Sequence, residues 1–220
     1  GAEVFGIIQA ALAWNTIYDP LKDRVVTPVS RLWNLGWDEP TVGDQSSVGD
    51  STAYLGHVLF CWDTYFAGYL YSLEHRELAY SNPIEVTGEK TEAGFVPMWY
   101  RSLDIRTQDR SQPTVGSLVV REIYRRFREP WFLEEVYESL LEWNRWWPAN
   151  RLNQGFLSWG SNPYEPVVGF DWESKGVGDI YGAVLESGMD NLPLYDDVPY
   201  NPDTHLMEMA DVSLLSFYVM

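Results

Sequence analysis

The sequence predicts an all-α protein, and three observations lead to this prediction. Apolar residues recur at helical spacing in several separate segments. No segment shows a convincing strand-like alternation of apolar and polar residues. Long segments rich in Gly, Pro and Asp lie between the apolar ones, as expected of loops that join buried helices. A chain of 220 residues is usually a single domain.

The predicted helices follow from apolar spacing and from the residues that end each run. In the first, Val4, Ile7 and Leu12 share one face, and Asp19-Pro20 stops the segment. The second is strongly apolar and contains Trp62-Asp63. Pro113 suits the first turn of the third, and Pro148 stops the fourth. The predicted helices are 2–14, 54–73, 113–127, 133–147 and 204 onward.

The remaining segments are predicted to be loops. Residues 19–52 and 150–203 are long and rich in Gly, Pro and Asp, and such segments in a compact domain are usually functional or disordered. Residues 94–112 are also predicted to be a loop. The segment 74–90 is ambiguous, because Asn82-Pro83 and Gly88 would break a helix.

Net charge and aromatic content limit the functions that are possible for this chain. The net charge of −17 argues against nucleic acid and against an anionic membrane surface as partners, since both need a basic face. The chain has 11 Trp and 14 Tyr, which supply either a large aromatic core or platforms that stack on sugar rings. The second interpretation gains weight where Trp lies in polar, Gly-rich loops, as it does at Trp33, Trp37, Trp159 and Trp172.

Asp190 is the candidate proton donor. It lies in the segment Glu-Ser-Gly-Met-Asp-Asn at 186–191, just past Gly188, where backbone can approach a ligand closely. A neighbouring carboxylate and aromatic walls could raise its pKa and keep it protonated. The alternative is that Asp190 only caps a turn before Asn and Pro.

Asp63 and three side chains with fixed polar groups are candidates for sugar binding. Asp63 follows Trp62 in an apolar segment, and sugar hydroxyls could satisfy its carboxylate while Trp62 serves as a platform. The alternative is a structural salt bridge, for example to Arg31 or Arg110. Gln112 and these two arginines offer donors suited to vicinal hydroxyls.

Other chemistries have weaker support. His57, His75 and His205 do not form a metal-ligand pattern, and the pair His205 and Glu208 is only a weak hint. The sequence lacks a phosphate-binding glycine loop, a dinucleotide fingerprint and a Gly-x-Ser-x-Gly elbow. The single cysteine, Cys61, precludes an internal disulfide and is interpreted as inert core.

Together these segments resemble the glycoside hydrolases of family 63, which contain processing α-glucosidases and bacterial relatives. The segment 186–191 resembles the general-acid motif of that family, and Trp-Asp-Thr-Tyr-Phe at 62–66 resembles its Trp-Asp-x-x-Phe segment. Three further segments are similar to family segments that line the pocket: Ser-Arg-Leu-Trp at 30–33, the run 108–113, and the run 157–166. The resemblance extends from about residue 10 to the end of the sequence.

The resemblance implies a fold, an activity and a set of site residues. The fold would be a partial (α/α)6 toroid, with residues 1–220 as the amino-terminal part of a catalytic domain truncated at both ends. The activity would be inverting, exo-acting hydrolysis of α-linked oligosaccharides or glucosides, with Asp190 as general acid. The implied sugar-binding residues are Arg31, Trp33, Trp62, Asp63, Arg110, Gln112, Trp159 and Glu186.

The resemblance also implies what lies outside this segment. The general base would be a Glu beyond Met220, so residues 1–220 alone are expected to be inactive, with the rest of the catalytic domain as their partner. No cofactor is expected, although a structural calcium ion occurs among relatives, and a prokaryotic cytoplasm or periplasm is the favoured compartment. Two alternatives stay open: a trehalase or a mannosylglycerate or glucosylglycerate hydrolase, and a non-catalytic carbohydrate-binding barrel.

Overall fold

The protein is a mixed α/β structure, and the prediction of an all-α toroid is wrong. A computed structural model describes residues 2–30, 57–101, 105–167 and 176–220. These residues contain seven α-helices and nine short strands in four small antiparallel sheets. The helices are α1 (Ala2–Asn15), α2 (Cys61–Tyr71), α3 (Arg76–Gly88), α4 (Gly116–Phe127), α5 (Pro130–Asn150), α6 (Ile180–Glu186) and α7 (Val212–Val219). The strands are β1 (Ile17–Asp19), β2 (Arg24–Val26), β3 (Val58–Phe60), β4 (Trp99–Arg101), β5 (Ile105–Arg106), β6 (Leu152–Asn153), β7 (Phe156–Leu157), β8 (Tyr200–Asn201) and β9 (Leu206–Met207).

The strands escaped prediction because they are short and because their best-formed sheet is buried on both faces. Each strand has two or three residues, which is too few for an alternating pattern to show. In the three-stranded sheet, Leu59 pairs with Tyr100 and Phe60 pairs with Trp99, and all residues of β3 and β4 are buried. A strand buried on both faces has a continuous apolar sequence, which also suits a buried helix.

Helices α2 and α3 pack closely because of a glycine. A Cβ atom at Gly68 would lie 2.6 Å from Cδ of Pro83 and 3.1 Å from the carbonyl oxygen of Ala79. Pro83 lies inside α3, where proline usually breaks a helix, yet the helix continues to Gly88. The ambiguous segment 74–90 is therefore helical, and the proline ring packs against the neighbouring helix.

Helices α4 and α5 complete the main hydrophobic core. Val119 and Ile123 of α4 are buried in one cluster with Val136 and Trp143 of α5. The Trp143 ring stacks on Tyr65 of α2, with 5.9 Å between ring centroids and 12° between ring planes. Within the described ranges, no helix is both long enough and apolar enough to cross a membrane.

The hairpin of β1 and β2 is joined to the end of α3 by buried charges. The Arg24 guanidinium contacts the Asp19 carboxylate at 3.1 Å and the Glu89 carboxylate at 2.6 Å. Lys22 also contacts Glu89, at 3.0 Å. The backbone N–H of Thr27 donates to the Asn82 side chain at 2.9 Å, so the strand that leaves the hairpin is held against α3.

Candidate functional site

Trp62 and Asp63 lie in the first turn of α2, directly after β3. The sheet fixes this end of the helix, because β3 pairs with β4 and the backbone N–H of Cys61 donates to the Met98 carbonyl at 2.9 Å. The Gln112 side-chain oxygen accepts from the backbone N–H of Trp62 at 3.1 Å. Since the first N–H groups of a helix lack partners within the helix, Gln112 acts here as a cap from a distant segment.

The segment 186–191 packs against Trp62. Helix α6 ends at Glu186, and Gly188 has a φ of 69°, which favours glycine. A Cβ atom at Gly188 would lie 2.7 Å from the Trp62 indole, so the backbone of the turn contacts the ring closely. The two segments that resemble hydrolase motifs are therefore neighbours in space.

Asp190 lies at the surface, two residues after this contact. It is exposed and sits in a turn, and among the described residues no hydrogen bond to its carboxylate is found. The turn before it is ordered by the Ser187 hydroxyl, which accepts from the backbone N–H of Met189 at 3.0 Å. The carboxylate is therefore open to a ligand that approaches this turn.

Asp63 is the more buried of the two candidate carboxyl groups. Burial raises the pKa of the Asp63 carboxyl and outweighs the hydrogen bonds that favour its ionised form. The side chain lines a pocket of about 440 Å³ between α1 and α2, whose other walls are mainly apolar. This volume lies in the range of small-molecule sites, and a partly buried acid in a pocket is a common feature of functional sites.

Glu186 lies fully inside the protein, where four protein donors hold its carboxylate. The Arg151 guanidinium forms a two-point contact with it, at 2.6 and 2.9 Å. The backbone N–H groups of Ser111 and Gly160 donate to the same carboxylate at 2.9 and 2.8 Å. Glu186 is 0% exposed. In this structure it joins three loop segments, and its oxygens point at protein donors.

Arg110 is also fully buried, although it was predicted to contact sugar. Its guanidinium donates to the Asp109 carboxylate at 2.6 Å and contacts the Met98 sulfur at 3.1 Å. The same Asp109 oxygen accepts from the Ser161 hydroxyl at 2.6 Å. This places Arg110 in a network that fixes the loop 107–112, on which Gln112 is carried.

Trp159 belongs to the core. It is 0% exposed, its indole N–H donates to the Asp211 carboxylate at 3.0 Å, and its ring meets Trp147 edge to face. The other Asp211 oxygen caps α7 by accepting from Ser213 and Leu214. For this tryptophan, the aromatic-core interpretation describes the structure.

Two of the predicted site residues, Arg31 and Trp33, lie outside the described residues. The same holds for Trp37 and Trp172. Their assignment to sugar binding stays a prediction from the sequence.

The histidines and acidic residues form no metal centre in the part of the chain that is described, where no group of three or more His, Cys, Asp or Glu could hold a metal ion. His57 is buried beside Arg24, and burial together with that cation lowers its pKa to about 4. His57 is therefore neutral near pH 7. Cys61 is fully buried, and burial raises the pKa of its thiol.

Comparison with known proteins leaves the family open. No family model matches the sequence, and no curated protein matches it. Among solved structures, the chain is similar to an uncharacterized conserved protein from Thermus thermophilus, with 19% sequence identity and a TM-score of 0.46. The match covers 74% of this chain and 41% of that one. The chain thus spans less than half of the protein it resembles.

Sequence reasoning missed the residues that hold the site in place. Arg151 stands at the end of α5, and the sequence marks it only as one arginine after Pro148. Asp109 lies in the run 108–113, of which only Arg110 and Gln112 were interpreted as ligand-binding. Complete burial distinguishes these two residues from surface charges, and burial depends on packing that one sequence does not display.

Proposed function

We propose that this chain carries part of the active site of a glycoside hydrolase of the inverting, exo-acting α-glucosidase type. The observation that carries the proposal is the contact between Gly188 and the Trp62 indole. It makes neighbours of two distant segments, one that carries Trp62 and Asp63 and one that carries the exposed Asp190. Hydrolysis of a glycosidic bond needs a carboxylic acid that protonates the leaving oxygen, and an aromatic ring close to that acid suits stacking on the sugar.

Asp190 is the proposed general acid. Its exposure leaves room for a leaving group, and the turn just before it is held by the contact of Gly188 with Trp62 and by the Ser187 hydroxyl. A bound sugar would exclude water from this carboxylate and raise its pKa, as catalysis near neutral pH requires. An inverting mechanism needs a second carboxyl group as base, and this base is proposed to lie beyond Met220.

The other residues have two proposed roles. Trp62 and Asp63 contact the sugar, Trp62 by stacking and Asp63 by accepting from hydroxyls, and Arg31 and Trp33 are proposed to join them. Gln112, Arg110, Glu186 and Trp159 are proposed to position these residues rather than to contact the sugar, because all four are buried and hydrogen-bonded to protein. The resemblance to family 63 favours an α-linked substrate.

Binding without turnover is the second candidate. It is favoured by one observation: among the described residues, no hydrogen bond orients the Asp190 carboxylate, whereas Trp62 is already fixed by Gln112 and Gly188. A binding protein needs the aromatic platform and not the proton donor.

A trehalase or a hydrolase of mannosylglycerate or glucosylglycerate would use the same Asp190 and would differ only in substrate.

The proposal is tested by following glucose release from maltose and from methyl α-glucoside by proton NMR. The assay uses the intact protein, by which we mean residues 1–220 together with any residues that follow Met220. We expect β-glucose to form first, because inversion converts an α-linkage into a β-product. Release of α-glucose first would contradict inversion. An intact protein that binds maltose and releases no glucose would favour the binding candidate.

A further inference from the structure

A second pocket lies on the surface between residues 76–84 of α3 and the start of α5. It has a volume of about 430 Å³ and is lined by Arg76, Glu77, Tyr80, Ser81, Ile84, Glu129 and Trp131. None of these residues belongs to the proposed active site, and they come from other elements than Trp62 and Asp190. Its volume is within the range of small-molecule sites.

Trp131 forms one wall of this pocket as a fixed and exposed ring. It is 48% exposed, although its indole N–H donates to the Glu129 carboxylate at 3.3 Å. Its ring also meets Tyr80 edge to face, with 4.9 Å between centroids. Because one edge is held by a hydrogen bond and by Tyr80, the ring is ordered before a ligand binds, and little side-chain entropy is lost on binding.

The polar groups of the pocket are also arranged in advance. The Arg76 guanidinium contacts Glu77 at 2.9 Å and Glu129 at 3.3 Å, so that it bridges the two carboxylates. Arginine has five donors, and a carboxylate has several acceptor positions, so both retain capacity for a ligand. The pair of ion contacts therefore offers donors and acceptors side by side along one rim.

Tyr80 is the buried side chain of this lining. It is 5% exposed and packs against the Trp131 ring. Burial first, and then the Glu129 carboxylate, raise the pKa of this phenol, which keeps it protonated. A buried and protonated Tyr80 therefore gives the exposed Trp131 ring a fixed neighbour.

We propose that this pocket, here called the Trp131 pocket, binds a neutral saccharide at a site separate from the proposed active site. An exposed indole face suits the C–H face of a sugar ring, and the Arg76–carboxylate rim suits vicinal hydroxyls. The pocket has two acidic groups and one basic group, which disfavours an anionic ligand. Arg76 disfavours a cationic one, since its guanidinium already contacts both carboxylates that an amine would need.

The test is calorimetric titration of the intact protein with maltoheptaose, in the Asp190→Asn background so that hydrolysis cannot consume it. Besides binding at the proposed active site, we expect a second binding event with a dissociation constant on the order of 1 mM, which Trp131→Ala abolishes or weakens at least about tenfold. Trp14→Ala is the matched control, because Trp14 is a 69% exposed tryptophan on α1 outside this pocket, and it should bind as the parent does.

Further variants separate the possible outcomes. Arg76→Ala should weaken binding with little effect on folding, since Arg76 is exposed, and Trp131→Tyr should retain part of the affinity. No titratable binding, or binding that Trp131→Ala and Arg76→Ala leave unchanged, would overturn the proposal. Trp131-dependent binding of tetramethylammonium in place of maltoheptaose would also overturn it and assign a cation site.

The Trp131 pocket and the proposed active site can fail independently. Trp131→Ala in the otherwise natural protein should leave hydrolysis of methyl α-glucoside unchanged, because that substrate is too small to span both sites. Conversely, if the intact protein hydrolyses no sugar, we still expect Trp131-dependent binding of maltoheptaose.

Discussion

At the scale of single residues, the carboxylate of Glu186 shows contacts that its sequence motif does not reveal. Its place in the segment 186–191 suggested contact with sugar. In the structure, Arg151 and two backbone N–H groups take all four of its hydrogen bonds. No sequence pattern pairs Glu186 with Arg151, because the two stand 35 positions apart and meet only after α5 and α6 are packed.

Replacing Glu186 with glutamine should therefore lower the free energy of unfolding of the protein, and its effect should not be limited to ligand affinity. The change leaves the Arg151 guanidinium buried beside a neutral group, and breaking a buried pair typically costs about 3 kcal/mol or more. Urea unfolding of the intact protein measures this loss. The matched control is Glu138→Gln on the exposed face of α5, with an expected change within about 0.5 kcal/mol. A loss below about 1 kcal/mol for Glu186→Gln would mean that the contact with Arg151 contributes little.

Gly188 tests the contact between the two candidate motifs. In Gly188→Ala, the new Cβ lies 2.7 Å from the Trp62 indole, so that the ring or the turn must move. Gly155→Ala is the matched control, because Gly155 also has a positive φ, of 90°, but a Cβ there meets nothing within 4 Å. Both variants lose stability from the backbone, by about 1 kcal/mol. We expect Gly188→Ala to lose about 1–3 kcal/mol more and to change the near-ultraviolet circular dichroism. Equal losses in the two variants would contradict a tight contact with Trp62.

His57 gives a prediction on pH. Its pKa is about 4 in the folded protein, against an ordinary value of 6.5, so that the unfolded chain binds a proton more readily. The wild-type protein should therefore lose stability as the pH falls from about 6.5 to about 4, and His57 should have no such effect above this window. In His57→Gln, urea unfolding between pH 4.5 and 8 should show a smaller loss on acidification. His75→Gln, at a histidine that is half exposed, should keep the wild-type slope. An unchanged slope in His57→Gln would show that the acid sensitivity comes from the carboxyl groups alone.

At the scale of elements, helices with a clear apolar stripe were predicted from the sequence. Helices that are short or contain a proline were not. The segments predicted at 2–14 and 113–127 correspond to α1 and α4, within a few residues. Helix α3 was left ambiguous because Pro83 lies inside it, and α6 was interpreted as loop because it has only seven residues. The short strands were missed because two or three residues show no alternating pattern, and β3 also pairs with a strand far along the chain, β4. Pairing of this kind is a tertiary property.

The crossing of α2 and α3 carries a prediction at this scale. In Gly68→Ala, the added methyl group meets the ring of Pro83 and the Ala79 carbonyl, and the two helices must separate. We expect a loss of about 1–3 kcal/mol in the free energy of unfolding. Gly88→Ala is the control, because a Cβ at the end of α3 meets nothing within 4 Å, and it should be neutral or stabilising by up to about 1 kcal/mol. If both variants unfold alike in urea, the close approach of these helices is not what stabilises the crossing.

At the scale of the whole molecule, the candidate site is assembled from segments that the sequence keeps apart. Gln112 holds the backbone at Trp62, Gly188 packs on the Trp62 ring, and the Glu186–Arg151 pair fixes the turn behind it. The sequence could nominate Trp62, Asp63 and Asp190, because carboxylates and an aromatic ring have a recognisable chemistry. It could not separate the exposed candidates from the buried ones, since burial depends on tertiary packing.

The central claim is that Asp190 donates a proton to the leaving group, and substrates that differ in their need for that proton test it most directly. In the intact protein, Asp190→Asn should slow hydrolysis of methyl α-glucoside by about 100-fold or more, because general acid catalysis contributes factors of that size. Hydrolysis of α-glucosyl fluoride should stay within about tenfold of wild type, since fluoride leaves without a proton. The matched control is Asp196→Asn, at another exposed aspartate in the same region, which should leave both rates unchanged. A loss of equal size for the two substrates, or no loss for either, would contradict the assignment of Asp190 as general acid.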